Sequence, residues 1–441
     1  MNTIRRCVSL LVFALCCGCG TQKTKPQPSP VVTAEPPEYP LPESTLLALR
    51  DRQDTHGIRK HAWAVFAEVT KNASATNSTP LWDTWIDEDD LFSGGAPPAA
   101  PHRKIQLPLE MVTKIRTSAK NDALALKLAT ELVQRGVGFE TKYNDSAANH
   151  IRQQGLTDPA SFQTRAATFV NLRAPVNERN IAPFPSFSII VKASWRTVGP
   201  GVLQTFTMWD PPDPSRPDCL NGCASKTQIK VKLAEPGQPC NRPSSPDEPY
   251  LSSCFYSVPA SNVPGYVLIL FGLHVITKET RDWTWSTFWW QADPDKGKFA
   301  DDRPGPNLIP GFWRNYVMDS TLSMQTPQEP QATAPAAAPS QRCRPQPSTT
   351  AKICFNPFIE GTDPTSTVSN CITCHLLSTY PAMSPDPRGV IQRGYLSFDD
   401  ACFGGSAPVM KVDYVWKLSP VTTGGQLDRF LSTLESQIQI K

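Results

Sequence analysis

Three side chains stand at a spacing that can do chemistry: Cys371, Cys374 and His375, in the run SNCITCHLLSTYP. In C-x-x-C-H the two thiols reach the two vinyl groups of one porphyrin, and the adjacent imidazole offers a nitrogen to its iron. With 13 cysteines and 6 histidines in 441 residues, chance supplies the pattern ~0.005 times per chain. Two other chemistries use the same thiols. An exported C-x-x-C can exchange disulfides, but such sites follow a strand of a βαβ unit and none precedes Cys371. The other is a structural Cys371–Cys374 bond. The spacing therefore predicts one covalent haem c on Cys371 and Cys374, with His375 as an axial ligand.

The opposite axial position has two candidates, Met383 and His274. A methionine there raises the potential, a histidine lowers it, and an open site admits ligands or peroxide. Met383 lies in a proline-rich loop, YPAMSPDP, that can fold over a haem. His274 lies in the most apolar strand, where an imidazole is costly unless paired or ligated. The plainer readings are a loop residue for Met383 and a carbonyl-bonded core histidine for His274.

Covalent haem attachment requires export, and the start of the chain predicts it. Arg5 and Arg6 precede an apolar run, residues 8–15, too short to span a bilayer. Gly18-Cys19 then ends the run as a lipoprotein signal does, with residues 1–18 removed and Cys19 lipidated. Cys17 as the anchor and an ordinary secretory signal are the alternatives. Residues 19–45 are proline-rich and predict an extended tether. Gly20 follows the anchor where an inner-membrane signal would carry Asp, which favours the outer membrane in a Gram-negative host. The expected place is the periplasmic side of a membrane, held by lipid alone, since no later run of eighteen apolar residues follows. A net charge of +3 and the lack of a basic stripe exclude a nucleic-acid role.

Outside the signal region the cysteines are 219, 223, 240, 254, 343, 354, 371, 374 and 402. In an oxidising compartment they default to disulfides. Cys219, Cys223, Cys240 and Cys254 can alternatively be read as a zinc set; their loop context favours disulfides. Two cysteines on haem leave an odd number, hence one thiol over.

These residues must be held by a frame. Residues 46–155 read as helical. One helix spans 120–136, with Leu124, Leu128, Leu132 and Val133 on one face. A second spans 147–154, capped by Asp145 or Ser146 and closed by Gly155. Residues 187–198, 228–233, 266–277 and 283–290 read as strands separated by proline-rich turns. Residues 325–342 form a Pro/Ala-rich linker or loop. Residues 343–441 form the haem segment, with a strand at 412–418 and a helix from about residue 425. The expected fold class is α+β: an N-terminal helical region, a mainly antiparallel β-sandwich or barrel body within residues 46–324, and a small C-terminal haem c segment. The common nucleotide, hydrolase and metalloprotease motifs are absent.

HAWAVFAEV, LWDTWIDEDDLF, FPSFSIIVKASWR, FGLHVITKETRDWTWSTF and the C-x-x-C-H followed by DYVWKL together resemble a family of exported bacterial proteins labelled cytochrome c family protein. The resemblance implies a single covalent haem in a C-terminal segment behind a larger, mostly β body. His274 and Lys278 match the family's H-x-x-x-K positions, whereas Trp289 and Trp290 stand where the family commonly has Glu-His. The leading expectation is a monohaem electron carrier with a redox partner protein that the sequence does not identify. One alternative is a haem enzyme with an open sixth site and peroxidase-like chemistry. Another is a ligand- or glycan-binding module with a redox- or gas-sensing haem, using Trp283, Trp285, Trp289 and Trp290. Alternating tryptophans more simply pack a sheet.

Overall fold

The computed structural model describes residues 39–93, 137–171, 179–201, 203–210, 223–245, 247–260, 265–322, 354, 356–359, 371–375, 378–380, 410–415 and 418. The signal, Cys19, residues 19–38 of the tether, the helix expected at 120–136, the 325–342 linker, Met383 and the helix expected from 425 lie outside these residues. The last residues of the expected tether, 39–45, are described, and there a helix already begins at Glu43 and the Leu41 N–H donates to Glu279.

The fold is mixed α+β with several antiparallel sheets, and no barrel closes among the described residues. The helices are α1 (Glu43–Asp51), α2 (Thr55–Thr70), α3 (Glu88–Phe92), α4 (Asp145–Gln153), α5 (Pro159–Asn171) and α6 (Cys371–His375). The strands of the main sheet are β3 (Ile86–Asp87), β4 (Val137–Tyr143), β5 (Ile189–Val198), β9 (Ser257–Pro259), β10 (Val267–Thr277), β11 (Thr284–Trp290) and β12 (Tyr316–Leu322). Their order is β12-β11-β10-β5-β4-β3, with β9 pairing the start of β10. A hairpin, β1 (Asn72–Ser74) with β2 (Asn77–Pro80), precedes them. A smaller sheet joins β6 (Gln204–Asp210), β7 (Cys223–Lys232) and β8 (Tyr250–Leu251), the last pair parallel. Late in the chain β13 (Thr379–Tyr380) pairs β14 (Met410–Lys411).

Strand alternation gives the main sheet two buried faces. On one, Val191, Ala193, Trp195, Leu273, Val275, Phe288 and Trp290 meet Trp63 and Phe66 of α2. Phe66 stacks on Phe288 at 4.2 Å, and the small sheet adds Phe206, Met208, Ile229 and Val231 to this core. α2 starts where Asp54 accepts from the Gly57 N–H at 2.8 Å, which satisfies one of the open donors of the first turn. On the other face Tyr143, Ile190, Ile276 and Trp285 meet α4, α5 and the late residues Cys354, Cys371, Ile372, Met410, Val412 and Tyr414.

Three expectations are corrected. Residues 46–155 are not wholly helical, because β3 and β4 lie within them. β4 escapes a hydrophobic-pattern reading because its positions on the face towards α2 are Glu140 and Lys142, buried as an ion pair at 2.8 Å. The second helix spans Asp145–Gln153, and its cap is Asn144, whose side chain accepts from the Ala147 N–H at 3.0 Å, not Asp145 or Ser146. Of the strand expected at 412–418, the described residues 412–415 form none: after β14 the chain makes a tight turn, closed by the Val415 N–H donating to the Val412 carbonyl at 3.0 Å. Asp413 and Tyr414 both have positive φ, 48° and 68°, as a type I′ turn requires.

Candidate haem attachment site

α6 spans Cys371–His375, so the thiol-bearing positions and the histidine are set three and four residues apart on one turn. Its end is tied by Ser378, whose N–H and hydroxyl both donate to the His375 carbonyl, at 3.1 and 2.7 Å. The Cys371 side chain is buried; the side chain of Cys374 lies outside what is described.

The His375 ring rests on Trp285, with centroids 4.6 Å apart. Its Nδ1 is 2.8 Å from the Tyr414 carbonyl oxygen. A carbonyl only accepts, so Nδ1 carries the proton and Nε2 keeps its lone pair. Loss of hydration pushes the His375 pKa down to about 3; the Tyr414 carbonyl opposes this, while His274 and Lys192 add to it. The imidazole is thus neutral near pH 7, the state a metal-ligating histidine needs. The carbonyl fixes both tautomer and ring orientation. In this respect the residues fit a haem iron.

That carbonyl is aimed by the strained turn. Left-handed backbone costs a non-glycine residue about 1–2 kcal/mol, and here both central residues bear it. Their side chains hold it in place. Lys278 Nζ pairs with Asp413 Oδ1 at 2.7 Å, and the Phe184 N–H donates to Asp413 Oδ2 at 3.1 Å. The Tyr414 hydroxyl donates to Asp282 Oδ1 at 3.1 Å. Lys278 and Asp282 belong to the loop between β10 and β11, so this hairpin loop positions the turn that orients His375. The opposite side of the same loop reaches α2, where Glu279 Oε2 and His61 Nε2 are 3.0 Å apart.

His274 stands opposite Thr287 on β11 and Lys192 on β5. Ile276, two residues on, stands opposite Trp285. His274 and Trp285 therefore share a sheet face as diagonal neighbours, roughly 7–8 Å apart along the backbone, and Trp285 carries the His375 ring. The structure thus brings His274 to the side of the sheet that α6 covers, where it is half-buried. Trp283, Trp285, Trp289 and Trp290 are all buried, at 0 to 3% exposure, so they pack the sheet and offer no platform to a ligand.

Three parts of the site escaped sequence reasoning. The Tyr414 carbonyl is backbone and has no side-chain signature. Lys278 with Asp413 is a pairing across 135 positions. The third is Cys354, whose Sγ lies 3.8 Å from that of Cys371. Elsewhere Cys240 and Cys254 form a disulfide, which removes both from a zinc set. Among the described residues no group of three or more His, Cys, Asp or Glu side chains is placed to hold a metal ion, and no helix is long and apolar enough to cross a membrane. Compared with known proteins, the chain matches no family model, no curated protein and no solved structure.

Proposed function

We propose that the protein is an exported, lipid-anchored monohaem c-type cytochrome that passes single electrons to a partner protein. The observation that carries this reading is the bond from His375 Nδ1 to the Tyr414 carbonyl within a C-x-x-C-H helix. It leaves the other ring nitrogen unprotonated and the ring orientation fixed. Haem, when bound, supplies an iron that cycles between ferrous and ferric states. The chain's own part would be to hold the ring by two thioethers at Cys371 and Cys374 and to present Nε2 of His375. Trp285 screens that imidazole from water. His274 would be the second residue to hold the iron, because its register on β10 sets it beside Trp285 on the face that α6 covers. Cys19 would carry the lipid, and the protein would face the periplasm.

The test is to produce the full chain with a working haem-attachment system and record ferric and ferrous spectra with and without carbon monoxide. The expected result is a red protein with a low-spin haem indifferent to carbon monoxide, which turns high-spin when His274 is replaced by Ala and not when Met383 is. Rapid binding of carbon monoxide by the wild type would favour the open-site enzyme instead. Protein without pigment would overturn the haem reading.

A further inference from the structure

The thiols of Cys354 and Cys371 are both buried, and their sulfurs lie 3.8 Å apart. This is van der Waals contact, about 1.8 Å beyond the ~2.05 Å of a bonded pair. The two backbones are joined as well, by the Cys371 N–H donating to the Cys354 carbonyl at 3.1 Å. The Cys371 thiol also points at that carbonyl, 3.2 Å away. Cys354 is held from its other side, since Asn356, two residues on, is fully buried and donates to Thr287 Oγ1 and the Phe288 carbonyl, each at 2.8 Å. Neither cysteine is therefore a chance neighbour on a loose loop. Cys371 is also the first thiol of C-x-x-C-H, so one sulfur faces two bonding partners.

We propose that Cys354 and Cys371 form a disulfide that excludes haem from Cys371, making Cys354 a redox gate on attachment. The inference rests on the haem reading above. The closing step is thiol–disulfide exchange with a small-molecule or protein disulfide. Each partner sulfur leaves as a thiol, and the two protons and two electrons lost by Cys354 and Cys371 appear in those two thiols. A dithiol reductant reverses it. Once reduced, the Cys371 S–H adds across a haem vinyl group: the C–S bond forms at one carbon and the hydrogen goes to the other, with no oxidant consumed. The two fates of Cys371 are mutually exclusive because its sulfur has one bond to give.

The experiment uses the full chain, made with and without a haem-attachment system, alkylated without reduction and cleaved after Glu360 and Asp363. That cleavage separates Cys354 from Cys371 and keeps Cys371 with Cys374. The expected result is a Cys354–Cys371 link in the haem-free fraction, its absence from the haem-bearing fraction, and a severalfold rise in the haem-bearing fraction for Cys354→Ser and Cys354→Ala alike. A haem-free fraction linked as Cys371–Cys374, or carrying both thiols alkylated, would overturn the gate while leaving the haem reading intact. The Cys354–Cys371 link with no pigment in wild type or either variant would overturn the haem reading, and the gating role with it.

Discussion

Asn356 ties the C-x-x-C-H region to the sheet, and its replacement has a cost that can be worked out. The side chain is wholly buried, and its hydrogen bonds within the described residues include those to Thr287 Oγ1 at 2.8 Å, to the Phe288 carbonyl at 2.8 Å, and from the Phe358 N–H at 2.9 Å. At about 1 kcal/mol each, Asn356→Ala should cost about 3 kcal/mol, or roughly two orders of magnitude in the unfolding equilibrium. The site opposite gives an independent handle. Gly272 sits under Asn356, and a Cβ added there would lie 2.9 Å from Asn356 Oδ1 and 3.2 Å from Nδ2. Gly272→Ala must therefore push the amide off its partners, and should cost about 2–3 kcal/mol through the same bonds. Because both changes remove one set of interactions, the double variant should be little worse than the worse single one. The assay is urea denaturation of the full chain followed by tryptophan fluorescence, comparing midpoints at equal slope. Gly272→Ala within about 0.5 kcal/mol of wild type, or full additivity in the double variant, would refute the reasoning.

Other expectations follow from the same contacts. Lys278→Met leaves the mostly buried Asp413 without its cation and should destabilise the fold by about 3 kcal/mol; Lys278→Arg should recover part of this, and urea midpoints decide. In haem-free protein, His375 should show a protonated Nδ1 and a bare Nε2 by nitrogen NMR, with no titration between pH 5 and 8, because its pKa is pushed down to about 3; a mid-range titration would count against the Tyr414 bond. Burial pushes the Asp87 carboxyl up to about 7; the Asp89 N–H and Lys142 oppose this and Glu140 adds to it. The folded state therefore holds this proton more tightly than the unfolded chain, whose carboxyl titrates near ~3.9. Its stabilising contribution is complete below about pH 4 and is lost as pH rises through about 7. Asp87→Asn, which can still cap α3, should flatten stability between pH 5 and pH 8. Parallel curves for variant and wild type would remove Asp87 as the cause.

How much the sequence discloses depends on which force shapes each element. β5, β10 and β11 fall within a residue or two of where alternation and apolar runs place them, because both of their faces are packed. β7 begins earlier than its alternating QIKVKL run, at Cys223. β4 is hidden because a buried ion pair occupies its positions on the face towards α2. The turn at Asp413 and Tyr414 is hidden for a different reason. Two consecutive non-glycine residues at positive φ are uncommon, and Lys278, Asp282 and the Phe184 N–H, all distant in sequence, hold them there. The same contrast runs through the site. C-x-x-C-H is legible because its chemistry lies in consecutive side chains, whereas the orienting carbonyl and Cys354 come from other parts of the chain.

The reach of these contacts has a consequence for the order of assembly. His375 meets its orienting carbonyl 39 residues later, Lys278 meets Asp413 across 135, and Phe184 meets Asp413 across 229. Contacts this distant in sequence form late, since the entropy of closing the intervening loops is lost before any of them rewards it. α6, with five residues, is far too short to persist alone. The pocket around C-x-x-C-H therefore closes only after segments as far apart as Phe184 and Asp413 have met, and until then the motif is open chain. An attachment enzyme acting before that closure would meet the motif as an extended peptide, and the rate of closure would set the time it has to act.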